Sequence, residues 1–303
     1  MPDGDTSAVS SKTSQLAPGL YLVATPIGNL GDITLRALEA LRAVDRIACE
    51  DTRQTQKLLN HFQIATPTVS CHEHNERERA EELVQALKSG QRIAFVSDAG
   101  TPGISDPGAY LARAAIAAGV SVIPIPGANA ALSALVASGM PAGEFQFLGF
   151  LPEKAGARRT LLEKIAAAPR EASSTLIFYE APHRILATLS DVETIWGGLL
   201  NVVLARELTK IHEEFLRGTV SEIRRELEAR DRIRGEITLL IQVPATNSVA
   251  PRTGSEKISA RVARMQSENG IDEKEALKRL ARELNRSKSD LYRELQRERA
   301  AKR

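Results

Sequence analysis

The sequence predicts an α/β protein of two lobes with a cleft between them, followed by a small helical appendage. Three observations carry this expectation. In the first half, short apolar runs alternate with helical patterns, as parallel strands joined by crossover helices require. Those runs end in loops rich in glycine, proline and charged residues, and the carboxyl ends of strands are where open α/β sheets hold ligands. At 244–254 the chain becomes a Pro/Ser/Thr/Asn linker, after which apolar residues recur with helical spacing. The expected organisation is a disordered lead-in at 1–18, a first lobe at 19–139, a second at 140–243, the linker at 244–254, and a basic helical tail at 255–303.

Residues 20–24 read as the first strand, ending in Thr25-Pro26-Ile27-Gly28-Asn29-Leu30-Gly31-Asp32. Asp32 is expected to cap a helix reaching about Val44, with Leu35, Leu38 and Leu41 on one side. Residues 46–49 form a strand that ends in Glu50-Asp51-Thr52-Arg53, and the next helix carries Leu58 and Leu59. Thr68-Val69-Ser70 leads to Cys71-His72-Glu73-His74-Asn75-Glu76. A helix near 78–89 stops at Gly90. The buried run Ile93-Ala94-Phe95-Val96 then opens into a loop, 97–108, holding three glycines, two prolines and two aspartates. Glycine lets backbone approach a ligand closely, and proline stiffens the loop. A helix at 109–118, a strand at 120–125 and the small-residue loop Pro126-Gly127-Ala128-Asn129-Ala130-Ala131 complete the pattern, with a further helix behind.

A hinge is expected at 139–143. The second half holds the runs 145–152 and 175–180 and reads as strands at 202–205, 212–218 and 235–243, with helices at about 158–168 and after Ala181-Pro182-His183-Arg184. Strands are adjacent without helices more often here, so a mixed sheet is expected. Ile237, Leu239 and Ile241 alternate with Thr238, Leu240 and Gln242. In the tail, Ala276, Leu277, Leu280, Ala281 and Leu284 make one apolar stripe and Leu291, Tyr292 and Leu295 another. Ser287 is expected to cap the second helix of this helix-turn-helix-like pair.

At 43% hydrophobic and 26% charged residues, the 303-residue chain has the composition of a soluble globular protein. No apolar run approaches the ~20 residues of a membrane span. Two cysteines exclude a disulfide framework and suit a reducing cytoplasm. The net charge of +2 hides an asymmetry: residues 252–303 carry 15 basic against nine acidic residues, and the remainder 25 against 29. A basic tail on a mildly acidic body suits an anionic partner such as nucleic acid, and equally a solvated helical appendage. Lys278, Arg279, Arg282, Arg286 and Lys288 are its candidate RNA contacts.

The sequence holds no Walker motif, no Gly-x-Ser-x-Gly elbow, no standard dinucleotide fingerprint and no set of ligands at zinc-like spacing, so no metal is expected. What remains is charge at successive strand ends: Glu50, Asp51 and Arg53; His72, His74, Asn75 and Glu76; Asp98; Glu180, His183 and Arg184; Arg206, Glu207 and Lys210. Together they imply a cleft lined by charge.

Thr-Pro-Ile-Gly-Asn-Leu at 25–30, Glu-Asp-Thr-Arg at 50–53, Ser-Asp-Ala-Gly-Thr-Pro at 97–102, Pro-Gly-Ala-Asn-Ala-Ala at 126–131, Gly-Phe-Leu-Pro at 149–152, Phe-Tyr-Glu-Ala-Pro-His-Arg at 178–184 and Arg-Glu-Leu-Thr-Lys at 206–210 occur in order. This set closely resembles the branch of the tetrapyrrole methylase superfamily that modifies small-subunit ribosomal RNA. Ser97-Asp98-Ala99 stands where the wider superfamily often has Gly-Asp-Pro, which speaks against a porphyrin methylase. The resemblance implies a two-lobed tetrapyrrole-methylase-like fold, S-adenosylmethionine as methyl donor, and the ribose 2′-hydroxyl of a cytidine in 16S rRNA of the 30S ribosomal subunit as acceptor. It also implies a homodimer. By the same resemblance Pro26, Asp98, Ala99, Gly100, Asn129, Ala130, Tyr179, Arg206, Gly235, Glu236 and Ile237 line the cofactor. An activated methyl needs mainly positioning, and the acceptor hydroxyl needs a proton acceptor. Asp51, His74 and Glu180 are the candidates for that base or for holding the hydroxyl, with Arg53, Lys210 and Arg184 on the ribose or phosphates. Two other readings compete: a tetrapyrrole methyltransferase of the same fold, and a non-catalytic ribosome-binding relative.

Overall fold

The computed structural model describes residues 16–72, 75–246, 258–283, 291–293 and 295–296. Residues 1–15 of the expected lead-in, His74, most of the linker, Leu284, Arg286, Ser287 and Lys288 lie outside these.

The first lobe is a parallel sheet in the order β3-β2-β4-β1-β5, built from β1 (Gly19–Val23), β2 (Arg46–Cys49), β3 (Thr68–Ser70), β4 (Arg92–Val96) and β5 (Val122–Ile125). Every pairing is parallel, so all five strands end on the same edge. β1 and β4 sit centrally and are almost wholly buried, which explains their unbroken apolar runs. Helices α1 (Leu35–Ala43), α2 (Thr52–His61), α3 (Glu76–Lys88) and α4 (Ala109–Ala117) make the crossovers. Two apolar clusters form, one around Val23, Leu41 and Ile47, the other around Leu20, Leu83 and Phe95.

The start of α1 differs from expectation. Residues 30–32 form a short 3-10 turn, and the helix begins after Thr34, whose hydroxyl accepts from the Ala37 N–H. Asp32 therefore lies inside the turn and caps nothing. The buried face is Ala37, Ala40 and Leu41, while Leu35 is exposed. Glu76, read as part of a charged strand end, instead caps α4: its Oε1 accepts from the N–H groups of Gly108, Tyr110 and Leu111 at 2.9, 3.2 and 3.4 Å.

The second lobe is a mixed sheet in the order β6-β7-β10-β8-β9: β6 (Phe145–Phe150), β7 (Ser174–Glu180), β8 (Asn201–Arg206), β9 (Glu214–Thr219) and β10 (Ile237–Val243). Only β6 and β7 run parallel. The alternation seen in β10 separates two buried faces. Ile237, Leu239 and Ile241 meet one cluster, under α6 (Ala155–Ala167), α7 (Ile185–Trp196) and α8 (Val220–Glu228), and Leu240 meets another. The helix α8 was not anticipated, although Thr219 and Glu222 form a capping box that is legible in the sequence.

That second cluster contains Ala131, Ala134 and Leu135 of α5 (Ala130–Ser138). α5, expected in the first lobe, thus packs on the second sheet, and the chain crosses between sheets at Pro126–Asn129 rather than at 139–143. Six of its nine residues are alanine or serine, which lets α5 lie close to β7, β8 and β10. One compact unit runs to Val243 and a second begins at Pro244. In the second, α9 (Ile258–Asn269) and α10 (Glu273–Glu283) bury Ile258, Val262, Ala276, Leu277 and Leu280 with Leu291 and Leu295, while Tyr292 is exposed.

Candidate active site between the lobes

The carboxyl ends of β1, β4 and β5 face the Glu180 end of β7 and the start of β10. Sheet register brings the second lobe's part together, because Ile237 pairs with Glu180 on one side and Arg206 on the other. A cavity of about 340 Å³ lies between the two sets of loops. That is within the size range of small-molecule sites.

Of the residues expected around a cofactor, Ala99, Gly100, Asn129, Ala130, Tyr179, Gly235, Glu236 and Ile237 line this cavity. Gly100 has φ +79°, and its backbone exchanges hydrogen bonds with Thr25 at 2.9 and 3.1 Å, which ties the β4 loop to the end of β1. A Cβ on Gly100 would sit 3.3 Å from Ile27 Cγ2. Asn129 caps α5 through the Leu132 N–H, so the positive end of that helix opens on the cavity at Ala130. Tyr179 stacks edge-on against Phe147 and Phe150, with ring centres 4.9 and 5.6 Å away, and burial raises its pKa.

Sequence reasoning missed Ile27, Thr101, Ile104, Ser105, Asp106, Phe150, Leu208 and Thr238, which also line the cavity. Asp106 stood in the glycine-rich loop as a second aspartate, and that was its only signal. Burial raises its pKa, a bond from Ser97 opposes this, and the Asp98 charge adds to the rise. Backbone geometry marks the same loops. Ser105, Glu207 and Thr209 have φ of +62°, +53° and +65°, three of the four non-glycine residues with positive φ among those described. Such strain concentrates at ligand sites.

Pro26 and Asp98 do not line this cavity. They border a second one of about 470 Å³, reached past Ile27, Ala99 and Glu236, which line both. Lys210 stands here, its Nζ donating to Glu207 Oε1 at 2.8 Å and Glu236 Oε2 at 2.9 Å. Burial alone would lower the Lys210 pKa; the bonds to the two carboxylates outweigh that and the net direction is upward. Lys210 is therefore an ammonium at neutral pH and accepts no proton. Gly28 makes room for it, since a Cβ there would collide with Lys210 Cγ.

Several expected roles fail on geometry. Arg206 lines neither cavity. It turns to β9, where Nε donates to Glu214 Oε2 at 2.9 Å, and Arg230 clamps the same carboxylate at 2.8 and 2.7 Å. Arg184 is turned inward and only 14% exposed: its Nη2 donates to the Leu151 and Pro152 carbonyls, and its Nε lies 3.1 Å from Glu180 Oε1. Its Nη2 and its charge are thus engaged inside the second lobe rather than presented at the surface. The Glu180 carboxylate has no solvent exposure; Oε1 accepts from the Ala181 N–H at 2.8 Å and Oε2 from the Thr188 hydroxyl at 2.6 Å. Glu180 is among the residues that line the first cavity, but each of its oxygens already accepts a bond from its own lobe, which holds the carboxylate in place.

Asp51 caps α2, accepting from the Arg53 N–H at 2.9 Å and pairing with the Arg53 guanidinium at 2.8 Å. Those bonds hold its pKa down to about 2, too low for a useful base. Its own N–H donates to Asp98 Oδ1 at 3.2 Å, so it sits behind the site. The Arg53 side chain is 87% exposed, beyond the cavities. In the tail, Lys278 and Arg279 are half exposed and each lies near Glu275, at 3.7 and 3.6 Å. Arg282 is on α10. Cys49 and Cys71 are buried, and burial pushes the Cys71 thiol up to about 12, so neither offers a nucleophile. Among the described residues no group of His, Cys, Asp and Glu could hold a metal ion, and no helix is long and apolar enough to cross a membrane.

A parallel sheet and a mixed sheet with a ligand-sized cavity between their loops define a two-lobed α/β protein with a small-molecule site at the junction of its lobes. Solved structures share it at low identity: uroporphyrin-III-C-methyltransferase from Thermus thermophilus (18% identical, TM-score 0.51, 74% of this chain and 92% of that one) and a conserved hypothetical protein from Aeropyrum pernix K1 (20%, TM-score 0.57, 77% and 86%). Residues 19–224 match the family model of Tetrapyrrole (Corrin/Porphyrin) Methylases. Proteins named ribosomal RNA small subunit methyltransferase I from Synechocystis sp. and Halalkalibacterium halodurans are 47% and 48% identical to this chain, each over 90% of it and over 95% and 93% of their own length. The chain belongs to the tetrapyrrole methylase family, in the branch formed by these ribosomal RNA small subunit methyltransferase I proteins.

Proposed function

We propose that the protein transfers a methyl group from S-adenosylmethionine to the ribose 2′-oxygen of a cytidine in 16S rRNA of the small ribosomal subunit. The observation that carries this reading is near-full-length identity of almost one half to relatives named for small-subunit rRNA methylation. The first cavity fits the donor's chemistry. Its lining is small and aliphatic residues, the rings of Phe150 and Tyr179, and the carboxyl groups of Asp106, Glu180 and Glu236, without lysine or arginine, as suits a nucleoside bearing a cation rather than a phosphate-bearing cofactor. Asp106 sets a carboxyl group beside it, where a cationic sulfonium is favoured.

Bound there, the donor supplies an already activated methyl, so the protein's work is alignment and removal of one proton. Asp51 is too acidic, Glu180 is held by internal bonds and Glu236 is paired with Lys210. Asp106 beside the first cavity and Asp98 beside the second are the carboxylates of the β4 loop that can take the proton, alongside His74, which lies outside the described residues. Lys210, a fixed ammonium, steadies negative charge growing on the acceptor oxygen. The protein works in the cytoplasm, where small subunits are assembled, as a homodimer. Apolar side chains left exposed on α5 and β6, among them Val136, Phe145 and Leu148, suit a second copy.

The deciding experiment offers labelled methyl donor with either unmodified 30S subunits or a porphyrin precursor, then maps the labelled nucleotide by nuclease digestion. Label at a cytidine 2′-oxygen is expected. Label in the porphyrin, or in neither despite cofactor binding, refutes the reading.

A further inference from the structure

A second cavity adjoins the one proposed for the cofactor, and it continues into the helix beside it. One wall is the loop of Thr25–Gly28, the base holds Asp98 and Lys210, and the opposite wall is α2, through Gln54, Lys57 and Leu58. Lys57 also lines a shallow groove on the outer face of α2, with Arg53, Gln56, Asn60 and Thr68. The cavity and the groove therefore meet at one lysine. Helix α2 contains no acidic residue. Gln54, Gln56, Lys57 and Asn60 are all exposed, so their burial in a core does not explain their presence. Lys57 Nζ donates to Gln54 Oε1 at 2.9 Å, and among the described residues no carboxylate pairs with it.

We infer that the second cavity seats the acceptor nucleotide and that α2 carries the adjoining single strand across Lys57 into the groove. This rests on the RNA reading above and adds where the RNA lies. The chemistry is that of single-stranded RNA recognition. A flipped-out base needs a pocket with a few amide donors and acceptors, which Gln54 and the cavity provide. Its neighbouring phosphates need a cation without a competing carboxylate, which Lys57 provides. The pocket is adjacent to the cofactor cavity through Ile27, Ala99 and Glu236, so a ribose seated on Lys210 can reach the methyl group. A protein partner would call for an apolar anchor along the whole surface; Leu30 and Leu58 stand in the cavity, but the groove on α2 offers only polar side chains.

The test uses the full-length protein, labelled donor and unmodified 30S subunits. Lys57→Glu and Gln54→Ala alter only exposed side chains, so both variants should fold. Lys57→Glu should raise KM for the subunit by about tenfold or more. Lys57→Arg should recover most of this, while cofactor Kd by calorimetry and kcat at saturating subunit stay within about twofold of wild type. The salt slope of subunit binding should fall by about 0.7–0.9 for the lost contact. Unchanged KM and salt slope in Lys57→Glu, with wild type active, would overturn this assignment alone. So would loss of cofactor affinity in step with activity. Wild-type protein that binds donor but leaves 30S subunits unlabelled would overturn the function and this inference together.

Discussion

Replacing Glu180 by alanine separates two roles that the sequence alone leaves equivalent. Its carboxylate lies at the end of β7, beside the cleft, yet all its contacts are internal: Thr188 at 2.6 Å, the Ala181 N–H at 2.8 Å and Arg184 at 3.1 Å. Removing it leaves a guanidinium that is 14% exposed without its counter-charge, and a fully buried Thr188 hydroxyl without its acceptor. Breaking one partner of a buried pair costs ~3–5 kcal/mol, because the remaining charge stays desolvated. For a body of this size each kcal/mol moves the melting midpoint by ~2–4 °C, so Glu180→Ala should melt about 10 °C lower. Calorimetry gives that midpoint; turnover and cofactor Kd are then measured well below it. Turnover per folded molecule should remain within about tenfold of wild type, since no catalytic proton passes through this side chain. A variant as stable as wild type that has lost turnover would refute the reasoning and restore Glu180 as a base.

Gly100→Val places a branched side chain at φ +79° and into the cofactor cavity. The strain is of order 1–3 kcal/mol, which a domain withstands, so cooperative unfolding should persist while cofactor Kd rises by about 100-fold. Wild-type Kd by calorimetry would remove the cofactor from this loop. Glu214 has its pKa held from 4.5 to about 2 by Arg230 and Arg206. A depressed carboxyl pKa stabilises the fold above its unfolded value, and that contribution is lost as pH falls through the folded one. Because the group is 27% exposed, the clamp contributes about 2 kcal/mol after screening. The stability gap between wild type and Glu214→Gln should therefore hold above pH 4.5 and narrow from there to about pH 2 in denaturant titrations; a gap independent of pH would contradict the clamp. Deleting residues 254–303 removes a segment outside the compact unit that ends at Val243. Cofactor affinity should survive, while 30S binding weakens and its salt slope flattens. An unchanged slope with a lower midpoint or halved mass in solution would mean that the tail packs on the body or across the dimer.

Much of this molecule was legible locally. Parallel strands buried on both faces must be apolar throughout, so β1 and β4 declare themselves, and their crossover helices follow from spacing and length. The loops at the strand ends were legible as well, because glycine and proline are needed wherever backbone turns sharply beside a ligand; Gly100 and Asn129 are both at the cavity. Local signals also marked the beginning of α8, in Thr219 and Glu222. Tertiary structure decided what the charged residues do. Asp51, Glu180, Arg184 and Arg206 stand at strand ends beside the cleft, and sequence position cannot distinguish a side chain aimed into a cavity from one captured by a partner, whether two residues away, as Arg53 is from Asp51, or far along the chain. Arg206 is taken by Glu214 and Arg184 by carbonyls more than thirty residues away. The same holds for α5, whose small residues fit either sheet and whose choice of the second depends on the surface offered by β7, β8 and β10. Backbone preference and hydrophobic period are properties of a short segment. The partner of a charge, and so its pKa and its availability to a substrate, is a property of the fold.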